Sequence, residues 1–193
     1  MIRCTQTLLS AYSYIFKRDD GYDDFLATLN REKKPPTQAM LDGIAFESAV
    51  NGVLDGFPVS EDNPLAEQIN WCADYLRGSQ KQVTLYKAIN LDGEQICLHG
   101  VLDFLKAGTI YDTKFSKTYS VGKYYTSPQT PMYFALVPEA KRFEYVICDG
   151  KYVYRESYTP DEVTPIETHI RHFIRFVKER GLWDTYCEKW KTE

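Results

Sequence analysis

No run of apolar residues in this chain is long enough to enter a membrane. The first twenty residues are interrupted by Ser10, Tyr12, Ser13 and Tyr14, with no small-residue cleavage site behind them. Nothing further along approaches the roughly 20 apolar residues that span a bilayer, so a cytoplasmic protein with no membrane partner is expected. Cysteine is scarce and odd in number: Cys4, Cys72, Cys97, Cys148 and Cys187 are scattered, which argues against a disulfide framework and for reduced thiols packed in a core. Of three histidines, His169 and His172 lie three apart with no further ligand spaced to complete a zinc site. There is no phosphate-binding glycine loop, no dinucleotide-binding glycine pattern and no internal repeat. Basic charge is also in deficit, with a net −4, which argues against a broad basic nucleic-acid surface.

What the chain does hold is enough apolar material for one well-filled core. It has 193 residues, 44% of them hydrophobic, with 15 Tyr and 10 Phe, far from the composition of a disordered chain. A single domain is expected, helical over about residues 1–80 and built from a sheet with helices over about 81–193. Helix-like apolar spacing covers residues 5–17, 22–30 and 38–54, with a break at Pro36. Asn63-Pro64 reads as the cap and first residue of another helix reaching Gly78.

From Gln82 the period changes to two, through VTLYKAIN, QICLHGVLDFL and TIYDTKF, with turns at Asp92-Gly93 and Ala107-Gly108. That predicts a three-stranded antiparallel meander. A helix over residues 128–137, a hairpin of FEYVIC and YVYRESY turning at Asp149-Gly150, and a last long helix follow. The last helix is expected to open on a capping box of Thr164 and Glu167. The predicted class is α/β (α+β), a central mixed β-sheet with an antiparallel meander, flanked by helices.

The informative hairpin is the one at Ala107-Gly108. If those two residues form the loop, Lys106 faces Thr109, Leu105 faces Ile110, and Asp103 faces Asp112, with Cβ atoms about 4.5–5.5 Å apart. Paired carboxylates repel, and a divalent cation is a natural reason to keep them. Mg²⁺ or Mn²⁺ typically takes one or two protein carboxylates, with water and substrate oxygens filling the remaining positions. Lys114, two residues beyond Asp112, shares its face. On this pattern alone the three are equally readable as polar-face residues with a surface ion pair. The following segment KFSKTYSVGKYY carries Lys114, Lys117 and Lys123 among four aromatics and no acid. It is either a local strip for phosphates or a solvated loop.

These residues fall in an order that resembles the PD-(D/E)XK nuclease superfamily, in particular its RecB-like and phage-type exonuclease branch. GVLDF at residues 100–104 resembles the strand with the first metal-binding aspartate, and YDTKFS at 111–116 the D/E-x-K strand. Gln129-Thr130-Pro131-Met132-Tyr133 resembles the Q-x-x-x-Y motif, and Gly43-Ile44-Ala45-Phe46-Glu47 the early helical motif ending in an acid. The matches span Gly43 to Tyr133. Pro131 departs from an ideal helix there, placing the helix start near Ser127 or Thr130.

The resemblance implies a restriction-endonuclease-like core and an Mg²⁺- or Mn²⁺-dependent deoxyribonuclease. Asp103, Asp112, Glu47 and the carbonyl of Thr113 would be metal ligands, Lys114 catalytic, and Gln129 and Tyr133 DNA-contacting or site-supporting. No iron-sulfur cluster is expected, because Cys4 and Cys187 lack the accompanying cysteine trio. DNA ends are the implied partner, with recombination, repair or phage replication proteins beside them, and the oligomeric state stays open because some relatives assemble as rings. Exonuclease action is the leading expectation. A structure-specific endonuclease and a non-catalytic binding module on the same fold are the alternatives.

Overall fold

A mixed sheet of six strands organises the chain, whose residues 1–192 are described in this computed structural model. Strand β1 (Ile2–Thr5) runs straight into helix α1 (Gln6–Tyr14), and Thr5 ends one and starts the other. Its hydroxyl accepts the Leu8 N–H at 3.2 Å. Helix α2 (Gly21–Leu29) follows. After Pro35 and Pro36 interrupt helix formation, Thr37 caps α3 (Gln38–Leu54) through the Met40 N–H at 3.3 Å.

Helix α4 (Ala66–Leu76) leads into β2 (Gln80–Leu91), β3 (Glu94–Lys106) and β4 (Thr109–Phe115), the antiparallel meander that the period of two predicts. The chain then forms α5 (Gln129–Leu136), β5 (Arg142–Cys148), β6 (Val153–Tyr158), α6 (Ile166–Glu179) and α7 (Trp183–Lys189).

Alternation along β5 divides the interior in two. Phe143, Tyr145 and Ile147 point into a core shared with α1, α2, α5, α6 and α7, while Val146 and Cys148 join a smaller core under α3 and α4. On α6, Ile166, Ile170, Phe173, Ile174 and Val177 form the buried stripe, each worth about 1.5–3 kcal/mol on removal from water. The result is an α+β protein with helices on both faces of a mixed sheet. Among the described residues, no helix is long and apolar enough to cross a membrane. All five cysteines are free thiols, and burial pushes those of Cys4 and Cys72 up to about 12.

Three expectations at element ends need correction. Residues 2–5 are a strand and not part of a purely helical N-terminal region. Four residues are too few to display a period, and parallel pairing with β3 is what makes them extended. Asn63 closes a turn by accepting the Leu65 N–H at 2.9 Å, and the helix starts later, at Ala66. The capping box belongs to Thr159 and Glu162 around a 3₁₀ turn at Pro160–Glu162, whereas α6 starts behind Pro165 without a side-chain cap. Beyond α6, the last long helix, the seven-residue α7 packs against it.

Strand β3 carries the feature that positions the site. β2 lies along nearly its whole length, while β1 pairs with Ile96 to His99 and β4 with Phe104 to Lys106. Residues 100–103 therefore lie between the two partners, at a fork. Beyond Tyr111, β4 leaves β3 and continues in parallel with β5, through Asp112↔Tyr145 and Lys114↔Ile147.

Candidate active site

The turn arithmetic behind the Asp103 and Asp112 pairing holds. Ala107 and Gly108 are the loop residues, both at positive φ, and Lys106↔Thr109, Leu105↔Ile110 and Phe104↔Tyr111 are the pairs. Asp103 and Asp112 occupy the next position, where the ladder ends and the strands part. There the Thr113 N–H donates to the Asp103 carboxylate. The two acids remain close enough that burial, followed by the charge of Asp112, pushes the Asp103 carboxyl up to about 8. Lys114 pulls it down, and Glu47 adds a smaller upward push.

Asp112 is 1% exposed. Its Oδ1 accepts a hydrogen bond from Gln129 Nε2 on α5. Its Oδ2 lies 2.6 Å from Lys114 Nζ, an ion pair that is not aligned as a hydrogen bond. Burial disfavours the Lys114 ammonium, but the attraction of Asp112 and Asp103 outweighs it and raises the pKa, so Lys114 is charged at neutral pH. Its Nζ also lies 5.9 Å from the centre of the Tyr145 ring.

The same fork accounts for residues of the QTPMY segment. Pro131 is the third residue of α5, within the first turn, where its missing N–H costs no helical bond. Ser127 Oγ accepts the Gln129 N–H at 3.2 Å, and the helix starts where Gln129 meets Asp112. Tyr133 donates its hydroxyl to the Val101 carbonyl at 2.7 Å, satisfying a backbone group inside the gap of β3. Gly100 makes that approach feasible. A Cβ there would lie 2.8 Å from both Leu136 Cδ1 and Tyr133 Cε1.

The other expected residues lie further out. Glu47 on α3 accepts from Gln82 Nε2 at 3.1 Å, and Gln82, at φ +51°, falls at the break in the β2–β3 ladder between Lys81↔Phe104 and Val83↔Leu102. Lys117 is paired with Asp42 at 2.9 Å, and Lys123 donates to Ser116 Oγ at 2.6 Å. His99 stacks on Tyr86 with ring centres 4.5 Å apart and is not among the groups acting on Asp103. His169 and His172 line a separate small cavity with Lys17. Asp42, an isolated acid on α3, carries no spacing signal in the sequence, and Tyr124 carries none beyond its place among the aromatics of the segment after β4. They line the groove leading to Lys114.

Among the described residues, no three or more His, Cys, Asp or Glu converge as a metal-ligand group. The donor set still fits a hard divalent cation. A half-buried carboxylate, Asp103, protonated well above its ordinary range, and a buried one, Asp112, with an oxygen lacking an aligned donor, offer the one or two protein oxygens that Mg²⁺ requires. Asp103 and Asp112 are the residues that would hold it.

By fold, this is a mixed six-stranded sheet flanked by helices, with a charged cluster at a fork between strands. No family model and no curated protein matches the sequence. Among solved structures, the fold is similar to that in the crystal structure of SSO0001, with a TM-score of 0.57 over 93% of this chain and 77% of that one. Identity is 13%, so the likeness concerns the fold alone.

Proposed function

We propose that this protein is a metal-dependent deoxyribonuclease of the PD-(D/E)XK type. In this reading it is an exonuclease shortening DNA from its ends during recombination, repair or phage replication, in the cytoplasm of a bacterial or phage-infected cell. The observation that supports it most is the arrangement at the fork: the charge of buried Asp112 acts on half-buried Asp103, and Lys114 Nζ lies 2.6 Å from Asp112. In hydrolysis a water oxygen forms a bond to phosphorus, the bond from phosphorus to the leaving sugar oxygen breaks, and that oxygen takes up a proton.

Lys114 is placed to orient the water and to stabilise charge growing on the phosphoryl oxygens. Gln129 fixes the Asp112 carboxylate, and Tyr133 and Gly100 hold α5 at the distance that allows it. Asp103 and Asp112 would hold a divalent cation, which would supply Lewis acidity for attack on phosphorus. Glu47 and the Thr113 carbonyl are the further ligands in this proposal, and Lys117 and Lys123 the phosphate contacts.

The test compares wild type with Lys114→Ala on end-labelled linear duplex, linear single strand and closed circular DNA, in Mg²⁺, Mn²⁺ or EDTA. Cleavage of linear DNA is expected to fall by about 10²–10³-fold in the variant and to vanish in EDTA, with circles intact. Undiminished Mg²⁺-dependent cleavage by Lys114→Ala overturns the catalytic assignment, and cut circles favour an endonuclease. One observation favours a non-catalytic binding module instead: Lys114 is already ion-paired with Asp112, and among the described residues no three acids gather as a metal-ligand group. DNA binding with no cleavage in any metal selects that module.

A further inference from the structure

Residues 116–127 join β4 to α5 and form a strap beside the candidate site. Beneath it runs a groove of about 740 Å³, with Lys114 and Gln129 at its inner end. Its far wall is α1, whose Gln6, Ser10 and Tyr14 recur every four residues and so share one helix face. One contact crosses the groove's flank, Lys117 to Asp42 of α3 at 2.9 Å, and outside the groove, past the end of α1, Lys17 donates to Thr126 at 3.0 Å.

The strap's middle is fixed differently. Glu156 on β6, 9% exposed, accepts from the Tyr119 hydroxyl at 2.7 Å, the Gly122 N–H at 3.0 Å, the Tyr124 N–H at 3.4 Å and the Tyr158 hydroxyl. Gly122 has φ +81°, a conformation that costs glycine little and that presents its N–H to the carboxylate. The flanking contacts are exposed and individually weak, whereas the Glu156 anchor is buried and multiply bonded. A substrate strand can therefore part the flanks without displacing the middle.

We propose that Glu156, by pinning this strap, sets strand selectivity: the groove admits one strand of nucleic acid toward Lys114 and shuts out an intact duplex. The inference rests on the nuclease reading of the site. A cleft of this volume is on the scale that encloses a small ligand, about 300–1,000 Å³, which suits a few nucleotides of one strand and not two paired backbones. Its wall chemistry suits a single strand as well. Tyr14, 46% exposed, offers a ring face for an unstacked base, Lys117 and Lys123 offer charge to phosphates, and Gln6 and Ser10 offer hydrogen bonds. Glu156 touches no substrate, so it is a positioning residue.

The experiment measures binding in EDTA, by fluorescence anisotropy, of a 5′-labelled single strand and of a blunt hairpin duplex of the same sequence. Wild type is expected to prefer the single strand by roughly tenfold or more, and Glu156→Gln to bind the two within about threefold of each other. Tyr119→Phe, which removes one donor and little else, is expected to fall between them. Val177→Ala, in the core at α6, supplies a control of lowered stability that keeps the wild-type ratio. Equal binding of both ligands by wild type, or an unchanged ratio in Glu156→Gln and Tyr119→Phe, overturns the proposal while leaving the nuclease reading standing if linear DNA is still cleaved. No binding and no cleavage of any nucleic acid overturns both.

Discussion

One carboxylate, Glu156, anchors the middle of the strap, while the Asp103 and Asp112 pair sits near its start, and the two sites are treated in opposite ways. Glu156 is surrounded by donors: two tyrosine hydroxyls and two backbone N–H groups. The Asp103 and Asp112 pair has one amide, one backbone N–H and one ammonium between two acids, and part of it is driven toward protonation. A carboxylate that only holds structure is brought close to saturation, because each unmet lone pair in the interior lowers stability. A pair left short of donors is a place where something else is meant to arrive.

The sharpest way to test that contrast is to delete the saturated acid. Glu156→Leu strands several buried donors at about 1–3 kcal/mol each, so urea unfolding should register a loss of about 3–5 kcal/mol. A loss under about 1 kcal/mol would mean that water replaces the carboxylate at once and that the two sites are alike.

The opposite sign is expected at the fork. The Asp103 carboxyl titrates near 3.8 when unfolded and at about 8 when folded, so the folded state keeps a proton that the unfolded chain releases. Its contribution to stability is complete below pH 4 and is lost as pH rises through about 8. Asp103→Asn should therefore stabilise the metal-free protein above pH 8 by about 1–3 kcal/mol, flatten its stability profile between pH 4 and 8, and abolish cleavage. Thermal melts of both proteins over that range check it, and a variant less stable than wild type at pH 8.5 would place Asp103 with the structural acids.

The smallest effect belongs to the strap's charges. Lys117 is 70% exposed and shared with Asp42, so Lys117→Ala should leave stability within about 0.5 kcal/mol. It should reduce the salt dependence of DNA binding by about one phosphate contact, read from the slope of log affinity against log salt. An unchanged slope would confine the basic contacts to Lys114 and Lys123.

Much of this was readable along the chain, for identifiable reasons. The hairpin at Ala107-Gly108 sets its own register, because a two-residue turn leaves only one pairing, but the ladder runs only to Phe104↔Tyr111, one step short of Asp103 and Asp112. Parity put Lys114 on the face of Asp112. The apolar stripe of α6 and the period of two in β2 to β4 were equally visible. Less visible were β1, too short to show a period, and the capping box, whose Thr and Glu spacing occurs near two places and is used at the earlier one.

The pattern of residues, with no partner in view, thus specified the class of fold, the meander and the acid, acid and lysine set, since those depend on neighbours within a hairpin. Three things waited on the folded chain. β1 and β4 share one side of β3, so a gap opens at residues 100–103 and the aspartates diverge instead of facing each other across a ladder. Gln129 reaches Asp112 because Gly100 lets α5 settle against that gap. Glu156, 32 to 37 residues beyond most of the strap groups it binds, carries no signal in its own surroundings. Each depends on contacts between segments distant in sequence, which local propensity and spacing do not encode.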